Sequence, residues 1–226
     1  MHEPYLKALA ELFYPQRCVG CSRRANDVLC RGCYEALPVI ERPVCRRCGL
    51  PTAFEAYVCE DCKGRDFGFD SARAPLKYEG VGESIVHALK YRGYTRVVER
   101  LVTPLLAGAV EGDVDCVAFV PLHRLRLMKR GFNQAELMAR GLAAEMGVPV
   151  FEGLGAARRT RDQVELSAGE RRANVEGAFR VGGPVEGTVL LVDDVLTTGA
   201  TMSACAGLLS RAGARSVRAL SLCRAC

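Results

Sequence analysis

The chain has 226 residues, of which 49% are hydrophobic and 25% are charged, a balance typical of folded globular proteins and unlike that of disordered ones. This length is enough for one sizeable core or two modest domains. No apolar run approaches the roughly 18–20 residues that a membrane-spanning helix needs, and the first residues lack the pattern of a signal peptide. These features predict a cytoplasmic protein with no membrane span.

Residues 1–66 form a cysteine-rich segment, which we predict to be a module of its own. Most of the 12 cysteines of the chain lie in this segment, arranged as Cys-x-x-Cys pairs with similar gaps in its two halves. This spacing indicates an internal duplication. The pairs are Cys18/Cys21, Cys30/Cys33, Cys45/Cys48 and Cys59/Cys62.

These pairs have the spacing of zinc ligands. Two thiolates on one tight turn face a common centre, and two such turns complete a tetrahedral site with no open coordination position. We therefore predict two structural zinc sites, which would supply folding free energy to a segment poor in aliphatic residues. Reactive thiols or an iron–sulfur cluster are the alternatives. The spacing leaves open whether the pairs combine sequentially or Cys18/Cys21 joins Cys45/Cys48 in a cross-braced module.

The formal net charge is +5 with cysteines counted as neutral. Eight zinc-bound thiolates and two Zn²⁺ ions would lower it to about +1, so a globally basic, nucleic-acid-seeking protein is not established. What remains is local. Positive charge concentrates at His123–Arg130 and at Arg158, Arg159, Arg161, Arg171 and Arg172, which would bind anions if the clusters converged on one pocket.

Residues 67–226 alternate predicted strands and helices, which is typical of an α/β domain with a mostly parallel sheet flanked by helices. The apolar runs at 115–121 and 188–192 favour strands that are covered on both faces. The predicted strands are 69–78, 115–121, 148–151, 188–192 and 216–223. The predicted helices are 82–91, 95–109, 133–146 and 201–212.

The loop after the strand at 188–192 carries the most specific chemistry. Asp193 and Asp194 follow the apolar run directly, and a polar stretch, 197–201, opens the next helix. Backbone N–H groups at a helix N-terminus, with hydroxyls and a glycine, make a phosphate cradle. Adjacent carboxylates would accept hydrogen bonds from a sugar diol or hold Mg²⁺. Simple helix capping, the alternative, explains only one of these hydroxyls.

The stretch 189–202 resembles the motif of type I phosphoribosyltransferases that binds 5-phosphoribosyl-1-pyrophosphate (PRPP). The resemblance implies that Asp193 and Asp194 engage the ribose hydroxyls, one of them through Mg²⁺, and that the threonines and the glycine hold the 5′-phosphate. The implied PRPP-binding residues are Asp193, Asp194, Val195, Leu196, Thr197, Thr198, Gly199, Ala200 and Thr201.

A second loop, 121–134, follows the other apolar strand and suits a pyrophosphate through its cations and a glycine. Its candidate residues are Leu122, His123, Arg124, Lys129, Arg130 and Gly131. The segments 89–93, 120–134 and 158–179, together with the cysteine-rich head and the stretch 189–202, resemble the ComF family and GntX-type proteins. The pyrophosphate loop is longer and more basic than that of familiar phosphoribosyltransferases.

The arginine-rich segment 158–172 lies before the strand that leads to the acidic pair. In related enzymes a loop closes over the reacting sugar and excludes water, so we single out Arg161, Gln163 and Arg171; a solvated connection is the alternative. Asp193, Asp194, Arg130 and Arg161 are the catalytic candidates.

The resemblance implies a PRPP-binding, phosphoribosyltransferase-like protein of the competence type, serving DNA uptake in natural transformation, with an unidentified acceptor. The alternative is a module that binds single-stranded DNA through its ribbons and basic loops, with PRPP as a regulatory ligand only. Tyr34, Tyr57 and Phe67 are candidates for base stacking, although a small local core is the alternative for them. A DNA-uptake helicase or other competence proteins are the expected partners.

Overall fold

The structure is a computed structural model, and it describes residues 17–92, 95–157 and 177–226. Its centre is a six-stranded sheet with the order β1-β8-β7-β3-β4, in which β2 also pairs with β8 and every pair is parallel. Strands β5 and β6 form a separate antiparallel pair. The strands are Ser71–Arg73 (β1), Leu76–Lys77 (β2), Cys116–Phe119 (β3), Val150–Phe151 (β4), Leu154–Ala156 (β5), Phe179–Val181 (β6), Thr188–Leu196 (β7) and Ser216–Arg224 (β8).

Helices connect the parallel strands, as crossover connections require. The segment between α3 and α4, Val98–Val102, is a π-helical turn. The α-helices are Arg31–Glu35 (α1), Gly80–Arg92 (α2), Thr95–Val97 (α3), Thr103–Ala107 (α4), Arg124–Arg130 (α5), Gln134–Met146 (α6) and Ala200–Arg211 (α7).

The sheet is covered on both faces, and the two halves of the cysteine-rich segment lie on different faces. The first ribbon, residues 18–33, joins the core that β7 and β8 share with α2, the π-helical turn and α6. The second ribbon, residues 45–62, joins the opposite core, where Met202, Cys205 and Leu209 of α7 pack. Because both faces are buried, β7 reads as an almost continuous apolar run.

Most predicted elements are confirmed with shifted ends, and three differ. The predicted strand 69–78 is two short strands, because Pro75 between them has no N–H to donate to a ladder. The predicted loop 121–134 contains α5. Strand β7 continues to Leu196, so the acidic pair lies inside the strand. Strands β5 and β6 were not predicted, because their sequences show no strong hydrophobic periodicity.

Asn133 ties α6 to the end of β3. It is 5% exposed, its Oδ1 accepts from the Ala135 N–H at 3.0 Å, and its Nδ2 donates to the Val120 carbonyl at 3.0 Å. The predicted start of this helix at residue 133 is therefore confirmed to within one residue. One side chain caps the helix and also fixes the chain that leaves β3.

We expect Asn133→Ala to lower the free energy of unfolding by about 2–3 kcal/mol, because it removes a cap and leaves a buried carbonyl without its donor. Urea denaturation of the zinc-loaded protein measures this. The matched change is His123→Ala, which removes only the half-exposed cap of α5, where Nδ1 accepts from Leu125, and should cost less than about 1 kcal/mol. Equal losses in the two variants would contradict this role for Asn133.

Candidate metal centres and phosphate site

Two groups of four cysteines have their Sγ atoms within 4.8 Å of one another: Cys18, Cys21, Cys30 and Cys33, and Cys45, Cys48, Cys59 and Cys62. The Sγ–Sγ distance is 3.8 Å for Cys21–Cys30, 3.9 Å for Cys45–Cys62 and 3.7 Å for Cys48–Cys59. A tetrahedron with Zn–S bonds of about 2.3 Å has edges of about 3.8 Å, so both groups fit Zn²⁺. The pairing is sequential, and the cross-braced alternative is wrong.

Each group holds one thiol in the same backbone setting. The Cys30 N–H donates to Cys18 Sγ at 3.3 Å, and the Cys59 N–H donates to Cys45 Sγ at 3.3 Å. Burial opposes ionisation, but backbone N–H groups outweigh it and lower the pKa of Cys18 to about 6 and that of Cys45 to about 7. Since zinc binds the thiolate, these amides prepare both groups for metal.

The two carboxylates at the end of β7 lie on opposite faces of the sheet, because successive side chains of a strand alternate. Asp193 lies on the side of α7, where its charge helps to raise the pKa of the already buried Cys205. Asp194 lies on the side of α2 and α6. The two carboxylates therefore lie on different faces at the end of β7, and their joint contact with one sugar stays a prediction.

Asp194 is 7% exposed and is held through a single oxygen. Lys90 Nζ of α2 lies 3.2 Å from its Oδ2, and Gln134 Nε2 of α6 donates to the same atom at 2.8 Å. Arg130 Nη1 donates in turn to Gln134 Oε1 at 3.1 Å. Sequence reasoning did not include Lys90 and Gln134 among the site residues, although both lie in segments that carry the family resemblance.

Asp193 is in a different state. Burial first, and then the Asp194 charge, raise the pKa of Asp193 to about 8, although the Asp194 N–H donates to its Oδ1 at 2.8 Å. Among the described residues, neither Asp193 Oδ2 nor Asp194 Oδ1 has a hydrogen-bond partner. One oxygen of each carboxylate is thus open to a ligand.

The turn from β7 into α7 leaves backbone donors open. Gly199 has a φ of +78°, which favours glycine, and a Cβ there would lie 3.1 Å from Phe67 Cε1, so the ring would have to shift to admit a side chain. Within the described part of the chain, the N–H groups of Thr197, Thr198 and Gly199 donate to no protein acceptor. Open amides at the N-terminus of a helix form an anion site. We call residues 193–201, which include the end of β7, the turn and the start of α7, the sugar-phosphate loop.

The predicted pyrophosphate residues lie near the sugar-phosphate loop, because β3 and β7 are neighbours and their carboxyl ends share one edge. The segment is a capped seven-residue helix rather than an open loop, starting after His123 and ending at Gly131, whose φ is +80°. Arg124 and Lys129 are exposed on α5. Arg130 contacts the Asp194 network through Gln134.

The remaining candidate residues are the arginine-rich segment, the aromatic residues and two further cysteines. Arg161, Gln163 and Arg171 lie outside the described residues. Phe67 is 8% exposed and packs under the sugar-phosphate loop, so the core alternative is confirmed for this residue. Tyr34 and Tyr57 are 63% and 76% exposed. Cys116 and Cys205 are buried core residues.

The terminal Cys-x-x-Cys pair is split between core and surface. Cys223 is buried in β8, where its thiol lies 3.7 Å from the Gly82 carbonyl, whereas Cys226 is exposed.

Among the described helices none has the length and apolarity to cross a bilayer.

Comparisons with known proteins agree with this organisation. A double zinc ribbon domain matches residues 9–63, and a phosphoribosyl transferase domain matches residues 128–225. DNA utilization protein YhgH of Salmonella typhimurium is 33% identical over 190 residues, which cover 80% of this chain and 84% of that protein.

Two competence proteins are also similar over most of their length. Competence protein F of Haemophilus influenzae is 27% identical over 94% of this chain and 99% of its own. Competence protein ComFC of Streptococcus pneumoniae is 27% identical over 89% of this chain and 90% of its own. Because the similarity runs through both the ribbons and the sheet, the chain belongs to the ComF family of competence and DNA-utilization proteins, which join a double zinc ribbon to a phosphoribosyltransferase domain.

Proposed function

We propose that the sugar-phosphate loop binds PRPP with Mg²⁺, and that the protein is a phosphoribosyltransferase acting on an acceptor still to be identified. The observation that carries the proposal is the set of N–H groups at Thr197, Thr198 and Gly199 that lack an acceptor among the described residues, in the turn that follows Asp193 and its open oxygen. Phosphate and sugar hydroxyls are the ligand groups that these atoms suit. The phosphoribosyl transferase domain match over residues 128–225 includes all of them.

The roles follow from the position of each group. The amides of the loop, with the hydroxyls of Thr197, Thr198 and Thr201, would hold the 5′-phosphate. Asp193 would accept hydrogen bonds from the ribose. His123, Arg124, Lys129 and Arg130, with the backbone of Leu122 and Gly131, would face the pyrophosphate. Mg²⁺, when bound with PRPP, supplies charge to the leaving pyrophosphate.

Asp194 has a positioning role in this proposal. Its Oδ2 is occupied by Lys90 and Gln134, and Gln134 receives Arg130 from the pyrophosphate segment. The hydrogen bonds from Arg130 to Gln134 and from Gln134 to Asp194 therefore link the pyrophosphate segment to the sugar-phosphate loop. Transfer breaks the bond between the anomeric carbon and pyrophosphate and develops positive charge on the sugar, which a carboxylate at this edge would stabilise. Arg161, from the undescribed segment, remains a predicted catalytic residue.

We also propose the division that the sequence predicts, with a zinc-ribbon module at 1–66 and the phosphoribosyltransferase domain at 67–226. The cytoplasmic location remains a prediction.

Calorimetric titration of PRPP into the zinc-loaded protein with Mg²⁺ at pH 8 tests the proposal. We expect micromolar binding that Asp193→Asn weakens about 10–100-fold, because a charged acceptor contributes about 1.5–3 kcal/mol. Glu152→Gln is the control, since Glu152 is an exposed partner of Arg140 on the surface. Absence of binding by folded wild-type protein would exclude the proposed PRPP site.

The state of Asp193 predicts a pH dependence of stability without ligand. Its pKa, raised to about 8 in the folded state from 3.8, means that the folded protein binds an extra proton between these values, so stability falls as pH rises from about 4 to 8. Asp193→Asn cannot ionise and escapes this loss. We expect the melting temperature of the variant to exceed that of the wild type by more at pH 8 than at pH 5, measured by differential scanning calorimetry without PRPP or Mg²⁺. A pH-independent difference would show that Asp193 is already charged at pH 5.

A second candidate function, binding of single-stranded DNA, is favoured by one feature of the second ribbon. Phe54 and Tyr57 are 72% and 76% exposed, and the Arg46 guanidinium lies 4.9 Å from the Tyr57 ring centroid. Exposed aromatic faces beside a cation are the groups on which successive bases stack. The relatives named for DNA utilization and competence agree with this candidate. It is compatible with PRPP binding.

We expect Phe54→Ala/Tyr57→Ala to weaken binding of a fluorescently labelled poly-dT oligonucleotide at least fivefold, since stacking contributes about 1–3 kcal/mol per base. Fluorescence anisotropy at two salt concentrations measures this, and wild-type affinity should fall as salt rises. Phe54→Leu/Tyr57→Leu keeps apolar bulk but removes the rings. If this variant binds as tightly as the wild type, stacking is not the interaction.

A further inference from the structure

Two arginines donate hydrogen bonds to backbone carbonyls of the sugar-phosphate loop. Arg224 Nη1 donates to the Leu196 carbonyl at 2.9 Å and to the Thr197 carbonyl at 2.5 Å. Arg65 Nη2 donates to the Thr198 carbonyl. Three consecutive carbonyls therefore face guanidinium groups on one side of the loop.

This arrangement decides where the loop amides point. A trans peptide is planar, with its C=O and N–H directed oppositely. With the carbonyls of Leu196, Thr197 and Thr198 on the arginines, the N–H groups of the following residues point to the other side. Those are the groups at 197–199 that lack a protein acceptor among the described residues. The arginines thus preorganise the donors of the proposed phosphate cradle.

Both arginines are themselves attached to the second ribbon, one to each Cys-x-x-Cys turn. Arg224 Nε donates to the carbonyl of Cys48 at 3.3 Å. The backbone N–H of Arg65 donates to the carbonyl of Cys62 at 3.1 Å, and its guanidinium lies 4.8 Å from the Phe67 ring centroid. A shift of either turn would therefore move a guanidinium that contacts the loop.

Arg224 is buried, with 6% of its surface exposed, and among the described residues its hydrogen-bond acceptors are carbonyls, those of Cys48, Leu196, Thr197 and Ala225. Within the described chain no carboxylate forms an ion pair with it. A buried cation without a counter-ion is costly, and its charge favours an anion on the far side of the loop. A phosphate would supply that charge.

We infer that the second ribbon sets the geometry of the sugar-phosphate loop through Arg224 and Arg65, so that metal retention at Cys45, Cys48, Cys59 and Cys62 and binding of a sugar phosphate reinforce each other. The inference rests on the proposed PRPP site. It does not extend to the first ribbon, which packs on the other face of the sheet, where Gly20 lies against Val81 at the start of α2. Coupling between two sites is reciprocal.

The test measures zinc transfer from the protein to a zinc-selective chelator, with and without saturating PRPP and Mg²⁺. Of the two zinc ions per chain, we expect PRPP to slow the release of one about tenfold and to leave the other unchanged. In Arg224→Met, which keeps length and removes charge, the chain should still hold two zinc ions by native mass spectrometry. The slowing should disappear, and the Kd for PRPP should rise about tenfold.

Two further variants keep the test interpretable. Arg65→Met alters a half-exposed residue, so it remains informative if Arg224→Met fails to fold, and it should reduce the slowing in the same direction. Arg73→Met is the matched control, since Arg73 donates to the Cys45 carbonyl of the same ribbon and does not contact the loop; PRPP should still protect one zinc ion in it. PRPP binding with unprotected zinc in the wild type would overturn the coupling and leave the PRPP site intact.

A readout without PRPP separates the two proposals. Amide hydrogen exchange should become faster at Ser203 and Ala225, whose N–H groups donate to the Gly199 and Leu196 carbonyls of the loop, in Arg224→Met and in Arg65→Met than in the wild type, with exchange in the first ribbon unchanged. If the wild type binds no PRPP yet the loop loosens in these variants, the proposed function fails and the positioning role stands. Unchanged loop exchange in both variants would overturn the positioning role.

Discussion

The structure depends on the placement of β7 between β3 and β8, with both of its faces buried. Burial on both sides requires parallel neighbours and helices or ribbons as cover. It also places the end of β7 at the edge of the sheet where polar groups converge, the usual ligand edge of open α/β sheets. The carboxylates of Asp193 and Asp194, the loop that follows them and the segment after β3 all meet at this edge.

The alternation of side chains along β7 then gives Asp193 and Asp194 different surroundings. Asp194 faces the helices α2 and α6, where it forms an ion pair with Lys90 and accepts a hydrogen bond from Gln134, which connects it to the basic segment. Asp193 faces α7, where burial and then the charge of Asp194 raise its pKa. A carboxylate kept in an unfavourable environment is typical of a functional site, because a ligand can relieve the cost. The two adjacent acids are thus chemically unequal.

The two zinc ribbons also lie on different faces of the sheet. A four-thiolate site orders its surroundings without a large apolar core, so each ribbon contributes only a few residues to the core that it joins. The first ribbon stabilises the face of α2 and α6. The second supports the face of α7, and through Arg65 and Arg224 it contacts the backbone of the sugar-phosphate loop. The duplicated modules therefore occupy different structural positions.

The sequence by itself determined the eight cysteines of the two zinc sites, the α/β class and the family, and it predicts the phosphate loop. These are local features: ligand spacing, hydrophobic periodicity and a contiguous motif within residues 189–202. Only the tertiary structure decided which cysteine pairs combine, that segment 121–134 contains a helix, and that Lys90 and Gln134 hold Asp194. It also decided that Phe67 and Arg224 lie beneath the loop. The contacts of Lys90, Gln134, Phe67 and Arg224 join residues far apart in the chain, so no local pattern specifies them; they follow from which strands pair and which face each side chain occupies.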